Sequence, residues 1–235
     1  MKSKRLREVR LLRLRAEHYL HYIKDQTDVA LTVHILRLQK ENSLFVRKLE
    51  HEQVGKIRPL TDKDLQTIRR YRWYLEDTQV ALKNLGIQYA FNESEKWTLE
   101  FQYKIPMISR LGFYIGGYLG GIEKYDVLID DEQAHITYSL SNTNAIPPII
   151  HMDPDHLAKE EFLDFIYSLN MGEWNKEYLT NGRDYMLFEN TLWGVEVYYE
   201  DGSDMVSFGG LNAFPYNFQL FLNFFEMHKK KVDKI

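Results

Sequence analysis

The apolar residues of this chain change their period once, at Gly86, and that switch constrains the fold more than any other feature. Before it they recur every three or four positions, with no Pro until Pro59 and no Gly until Gly55, which is the repeat of a helix. After it they alternate singly, as in strands with one buried face. The break predicts a helical module over 1–86 and an α+β domain over 87–235, the latter a mainly antiparallel sheet with packed helices.

Three helices are expected in the first part. One over about 3–24 aligns Leu6, Val9, Leu12, Ala16, Tyr19, Leu20 and Ile23. A second over 28–53 aligns Leu31, Ile35, Leu38, Phe45 and Leu49, with Asn42 in the seam, where a polar residue sets register at a cost in stability. A third opens after Pro59 with Thr61 as N-cap and Asp62 and Asp64 at the positive end of the helix dipole. Its inner face is Ile68, Tyr71, Leu75, Leu82 and Leu85, and Gly86 stops it. Such helices form an antiparallel, coiled-coil-like hairpin or a three-helix module.

In the second part, Trp97, Leu99, Phe101 and Tyr103 alternate with polar residues and read as a strand. Residues 125–129 and 134–140 read as a hairpin, 156–169 and 216–230 as helices, and Asp201-Gly202 as the tight turn between strands at 192–199 and 205–208. The segment 105–122 carries one charge, Arg110, and is apolar enough to raise the question of a membrane. Pro106 and five glycines argue instead for a glycine-rich connection.

Charge divides as the period does. The net of −4 is the sum of +8 over residues 1–86 and −12 over the rest, so the two parts should attract each other or different partners. The absence of Cys excludes disulfides, thiolate metal sites and thiol nucleophiles, and suits a reducing, cytoplasmic setting. The first residues are charged and show no export signal.

The strings Trp193-Gly-Val-Glu-Val-Tyr-Tyr-Glu-Asp201-Gly202 and Gly210-Leu-Asn212-Ala213-Phe214-Pro215-Tyr-Asn217-Phe218 resemble a recurrent domain of uncharacterised bacterial proteins. Its pattern is a Trp-bearing strand, an Asp-Gly turn, a short strand ending Gly-Ser-Asn-Ala-aromatic-Pro, and a helix. With the glycine-rich turn before Tyr125 and Gly172-Glu-Trp174, the likeness covers about 97–227. Leu211 stands where the pattern has Ser, and Asn190 where it often has Gly. The resemblance implies a fold and supplies no catalytic residue; Asn212 and Pro215 read as turn and helix-start geometry.

Candidate chemistry is sparse. His151-Met-Asp153-Pro-Asp155-His156 has metal-ligand residue types, but Pro154 hinders their convergence, and Asp153 or Asp155 suits an N-cap of the next helix; no metal and no cofactor are expected. Phosphate-loop, His-Glu-x-x-His and nucleophile-elbow motifs are absent. Glu173, Glu196, Glu200, Asp201 and Asp204 are plentiful carboxylates without a spacing that pairs them. The outer helix faces are more informative: Arg7, Leu11, Leu14 and Arg15 share one on the first helix, and Arg69, Arg70 and Trp73 one on the third. Arginine beside apolar anchors suits a protein interface. The sequence therefore reads as a non-enzymatic interaction protein that binds a protein partner and self-associates through its helices, with no membrane contact. Nucleic-acid binding through the basic faces is the alternative, and a hydrolase-type site in the acidic, aromatic C-terminal part a second one.

Overall fold

Helices fill the first part of the computed structural model, which describes residues 18–117, 121–141, 149–179 and 191–232. They are α1 (18–24), α2 (Asp28–Glu52) and α3 (Asp62–Asn84). Thr61 caps α3 in a complete capping box: its side chain accepts from the Asp64 amide while the Asp64 carboxylate accepts from the Thr61 amide. The helix ends at Asn84 with Gly86 at a φ of +78°, a conformation glycine adopts without cost. Tyr19, Ile23, Leu31, Ile35, Leu38 and Leu82 form the apolar centre, with Tyr71, Tyr74 and Leu75 against it. Leu85 lies past the last turn and is 52% exposed, so it is not an inner-face residue.

The chain divides into two units, one of residues up to Leu49 with Leu60–Phe91, the other of Glu50–Pro59 with Asn92–Ile235. The last turn of α2 and the link after it thus belong to the second. There Gln53, buried, donates to the carbonyls of Arg58 (2.9 Å) and Tyr216 (3.3 Å) and accepts from the Arg58 amide (2.7 Å). The Gly55 amide donates to the Asn212 carbonyl at 2.7 Å, and the Tyr178 hydroxyl to Glu50 at 2.8 Å.

The second unit is α+β. Its described strands are β1 (Ile108–Gly117), β2 (Gly121–Ile129), β3 (Gln133–Ser141), β4 (Ile149–Ala158), β5 (Glu177–Leu179), β6 (Leu192–Tyr199) and β7 (Val206–Leu211). They form one sheet in the order β4-β3-β2-β1-β6-β7-β5, antiparallel except for β5 beside β7. Helices α4 (Glu93–Lys104), α5 (Lys159–Leu169) and α6 (Phe218–Val232) bury the other side of its inward residues: Phe101 meets Phe208, and Phe113 meets Phe218, Phe221 and Phe225.

Three expectations are corrected here. Residues 97–103 are not a strand but most of α4. Asn92 and Glu95 form a capping box, and Trp97 with Phe101, one turn apart, face the core while Leu99 and Tyr103 face solvent. The stretch 105–122 is not a loose connection: it contains β1, the central strand, and the start of β2. Leu111, Phe113 and Ile115 point inward, while Gly112 and Gly116 occupy the outward positions, so the glycines conceal an ordinary alternation. Finally, neither Asp153 nor Asp155 is the N-cap residue of the helix that follows. Strand β4 runs to Ala158, which precedes α5 without a side-chain cap, and Glu160 and Glu161 meet the dipole instead.

The residues of the Asn-Ala-aromatic-Pro string carry geometric tasks. Asn212 has a φ of +52°; its side-chain oxygen accepts from the Thr191 amide at 2.7 Å, and its own amide donates back to the Thr191 carbonyl at 3.0 Å. The Ala213 carbonyl accepts the Trp193 indole N–H (2.8 Å), and Asn217 links the Trp174 indole (2.8 Å) to the Leu169 carbonyl (2.6 Å). Asn212→Ala should cost about 2 kcal/mol, roughly half from the lost buried hydrogen bond and half from the left-handed backbone. Asn212→Gly, spared the second part, should cost about half as much. Urea denaturation of both variants checks this, and an Ala variant as stable as the parent would contradict it.

Candidate functional site

Two surfaces stand out, one in each unit. On the helical unit, α2 is apolar on two sides. Its seam of Leu31, Ile35, Leu38 and Leu49 is buried, yet Val29, Val33, Leu36 and Leu44 remain 68%, 63%, 58% and 56% exposed. Val29, Val33 and Leu36 follow the i, i+4, i+7 spacing that places them on one stripe. Asn42 interrupts the buried seam, and its side-chain oxygen is buried without a hydrogen-bond partner among the described residues. Of the residues expected to bind a partner, Arg7, Leu11, Leu14 and Arg15 lie outside the described residues. Arg69 is exposed, Trp73 is 38% exposed one turn beyond it, and Arg70 is half-buried.

The sheet of the second unit supplies the other surface. Its face opposite α4, α5 and α6 carries Arg110, Gly112 and Tyr114 from β1, Lys124 and Asp126 from β2, and Gly194, Glu196 and Tyr198 from β6. Arg110 grips Asp126 with two bonds, Nε at 2.7 Å and Nη2 at 3.2 Å, while its guanidinium carbon sits 5.4 Å from the centre of the Tyr198 ring. The Tyr198 hydroxyl in turn donates to Glu196 at 2.8 Å.

Beside this network lies a groove of about 540 Å³ over β6, β7 and β5. Strand pairing defines its shape. Glu177, Gly209, Gly194 and Tyr114 stand in one cross-strand row that forms the floor; Leu179, Leu211 and Leu192 form one wall, Ser207 and Glu196 the other. A Cβ at Gly194 would lie 2.5 Å from the Tyr114 ring, so this glycine lets the tyrosine lie flat across the strand. At Gly209 the nearest obstacle is the Trp193 carbonyl at 3.3 Å, and its bare backbone leaves the trough open.

The His151–His156 cluster separates. His156 turns outward toward β3, its Nδ1 2.7 Å from Nδ1 of His135, whose Nε2 reaches Asp130 at 2.6 Å. That hydrogen bond and those from the Glu132 and Gln133 amides hold the Asp130 carboxyl well below the usual range. Asp155 turns the other way, to buried His228 on α6. The side chains of His151 and Asp153 lie outside the described residues. Among the described residues no group of three or more His, Cys, Asp and Glu is arranged to hold a metal ion. Nor is any described helix long and apolar enough to cross a membrane.

Of the carboxylates named from the sequence, Glu196 alone lines the groove; Glu173 accepts from the Tyr216 hydroxyl at 2.8 Å, and Asp201 caps the Ser203 amide at 2.9 Å in its turn. Tyr114 and Glu177 carry no sequence signal that marks them. No family model, curated protein or solved structure matches the chain.

Proposed function

We propose that this chain is a non-enzymatic interaction protein whose helical unit pairs with a second copy and whose surfaces engage a protein partner. The observation that carries the reading is the second apolar stripe of α2. Val29, Val33, Leu36 and Leu44 are more than half exposed on a helix whose opposite face already fills the unit's apolar centre. A single exposed valine or leucine needs no explanation, but a stripe at helical spacing is the contact surface of a partner helix. Pairing α2 with α2 of a second copy buries the stripe against its own equivalent, as a two-fold interface requires. Lys40, one turn from both Leu36 and Leu44, interrupts the stripe, and Arg37, bridged to Glu41 at 3.4 Å on the same helix, lies at its edge.

Light scattering at about 50 μM should give twice the chain mass, a concentration typical for moderate-affinity pairs. Val33→Glu with Leu36→Glu should return the monomer mass with the helical circular dichroism unchanged, since neither residue belongs to the buried seam. A monomer at that concentration, or a dimer indifferent to both substitutions, would reject the reading.

A further inference from the structure

We infer that the groove on the open sheet face is a docking site for an arginine-bearing segment of a partner protein. This goes beyond pairing through α2 and draws on different residues.

The same sheet face already holds one arginine, and its surroundings define the chemistry. Arg110 is received by a carboxylate fork, Asp126, and by the face of a tyrosine, Tyr198, whose hydroxyl is tied to Glu196. Planar guanidinium groups are held in this way because they bond carboxylates in pairs and stack on aromatic rings, which an ammonium does less well. The groove repeats the receiving half of that arrangement without the arginine. Tyr114 lies flat on Gly194, so one ring face is against the backbone and the other is turned outward. Glu196 stands on one side of it, and Glu177 closes the far end of the floor without an ion pair among the described residues.

Among the described residues the one cation on the lining, Lys176, directs its ammonium over the Trp97 ring at 4.9 Å; Glu196 shares the field of Arg110, and Glu177 is the carboxylate that no described cation pairs. Leu179, Leu211 and Leu192 line the opposite wall, with Leu179 64% and Leu192 43% exposed. They offer apolar surface to the methylene stem of an arginine and to an aliphatic neighbour. From Glu177 to Gly194 the floor crosses two strand spacings, about 10 Å, enough for one extended side chain lying across the strands. The setting is favourable at longer range as well, because residues 87–235 carry a net charge of −12.

The test is fluorescence anisotropy on the full chain at low ionic strength, with a labelled, capped Gly-Arg-Leu-Arg-Gly peptide and its citrulline and lysine counterparts. Saturable binding is expected, weaker by about tenfold or more for citrulline, which keeps the shape and loses the charge, and intermediate for lysine. Glu177→Gln with Glu196→Gln should weaken the arginine peptide by about tenfold, with little change in melting temperature because Glu177 is exposed and an amide oxygen at position 196 still accepts from the Tyr198 hydroxyl. Gly209→Val, which fills the floor, should abolish binding. No saturable binding up to millimolar peptide, equal binding of the citrulline form, or a double Gln variant that binds like the parent would each overturn the proposal. A double Gln variant that instead loses self-association would assign the groove to a second copy and overturn it equally. The Val33→Glu, Leu36→Glu protein, which lacks the α2 stripe, should bind the peptide unchanged, so the two readings fail separately.

Discussion

Above about pH 11 the sheet unit should unfold in one cooperative step accompanied by the appearance of several tyrosinates at once. Tyr125 and Tyr178 are 1% and 6% exposed, and burial followed by the nearby carboxylates of Glu123 and Glu50 pushes both hydroxyls far above their ordinary range. Tyr199 is pushed up to about 12, first by burial and then by Asp201 and Glu100. Folded-state values raised above the unfolded value near 10 mean that stability is intact below pH 10 and is lost as pH climbs from there. At about pH 11.5 each of Tyr125 and Tyr178 withdraws roughly 2 kcal/mol and Tyr199 slightly less, about 6 kcal/mol in all. That is comparable with the whole stability of a typical domain. Absorbance at the tyrosinate band and near-ultraviolet circular dichroism should therefore change together. Tyr125→Phe, which cannot ionise, should move the midpoint upward. Tyrosinate rising with an ordinary value near 10 while the dichroism stays native would show that these hydroxyls are not held as the geometry indicates.

Those tyrosines also show what a sequence of this kind discloses. Tyr125 and Tyr138 were legible as hairpin residues because they alternate through a continuous segment around Asp130-Asp131-Glu132-Gln133. Thr61 with Asp64, and the turn at Asp201-Gly202 with its φ of +72°, were legible for the same reason: cap and turn chemistry is written within four residues. Where two local signals conflicted, reading failed. Trp97, Leu99, Phe101 and Tyr103 satisfy a period of two and also form two i, i+4 pairs, and only the Asn92–Glu95 cap distinguishes helix from strand. In β1 the glycines mimic a loop because what fills their space comes from neighbouring strands, the Glu196 side chain over Gly112 and the backbone of Gly121 and Ile122 against Gly116.

The groove was out of reach for a stronger reason. Its floor joins Tyr114, Glu177, Gly194 and Gly209, residues brought together by the register of β1 on β6 and of the parallel pair β5 and β7. A slip of one residue would turn Glu196 into the core and Val195 into the groove, and nothing local specifies that register. Arg69, Arg70 and Trp73, in contrast, were placed together from one helix and its period; Arg69 and Trp73 are exposed, while Arg70 is half-buried.

Removing the Trp193 side chain should be the most destructive single change in the second unit. Its ring is fully buried, 4.6 Å from that of Phe218 and 5.8 Å from that of Tyr178, and its indole N–H is spent on the Ala213 carbonyl. A Cβ on Gly210 would come within 2.6 Å of the indole nitrogen, so the backbone is shaped around this side chain. Trp193→Ala loses the buried area, leaves a cavity bounded by rings too stiff to close it, and orphans the Ala213 carbonyl; the sum is about 4–5 kcal/mol. Trp193→Phe retains most of the ring and loses the hydrogen bond, for about 2 kcal/mol. The gap between the two variants in urea denaturation separates packing from hydrogen bonding. If the Phe variant were as damaged as the Ala variant, the indole N–H would be what holds the Asn212–Pro215 turn against the sheet. If the Ala variant unfolded at the parent's midpoint, Trp193 would not be the keystone of this core. The expected order, parent above Phe above Ala, follows from the contacts of a fully buried ring outweighing one neutral hydrogen bond.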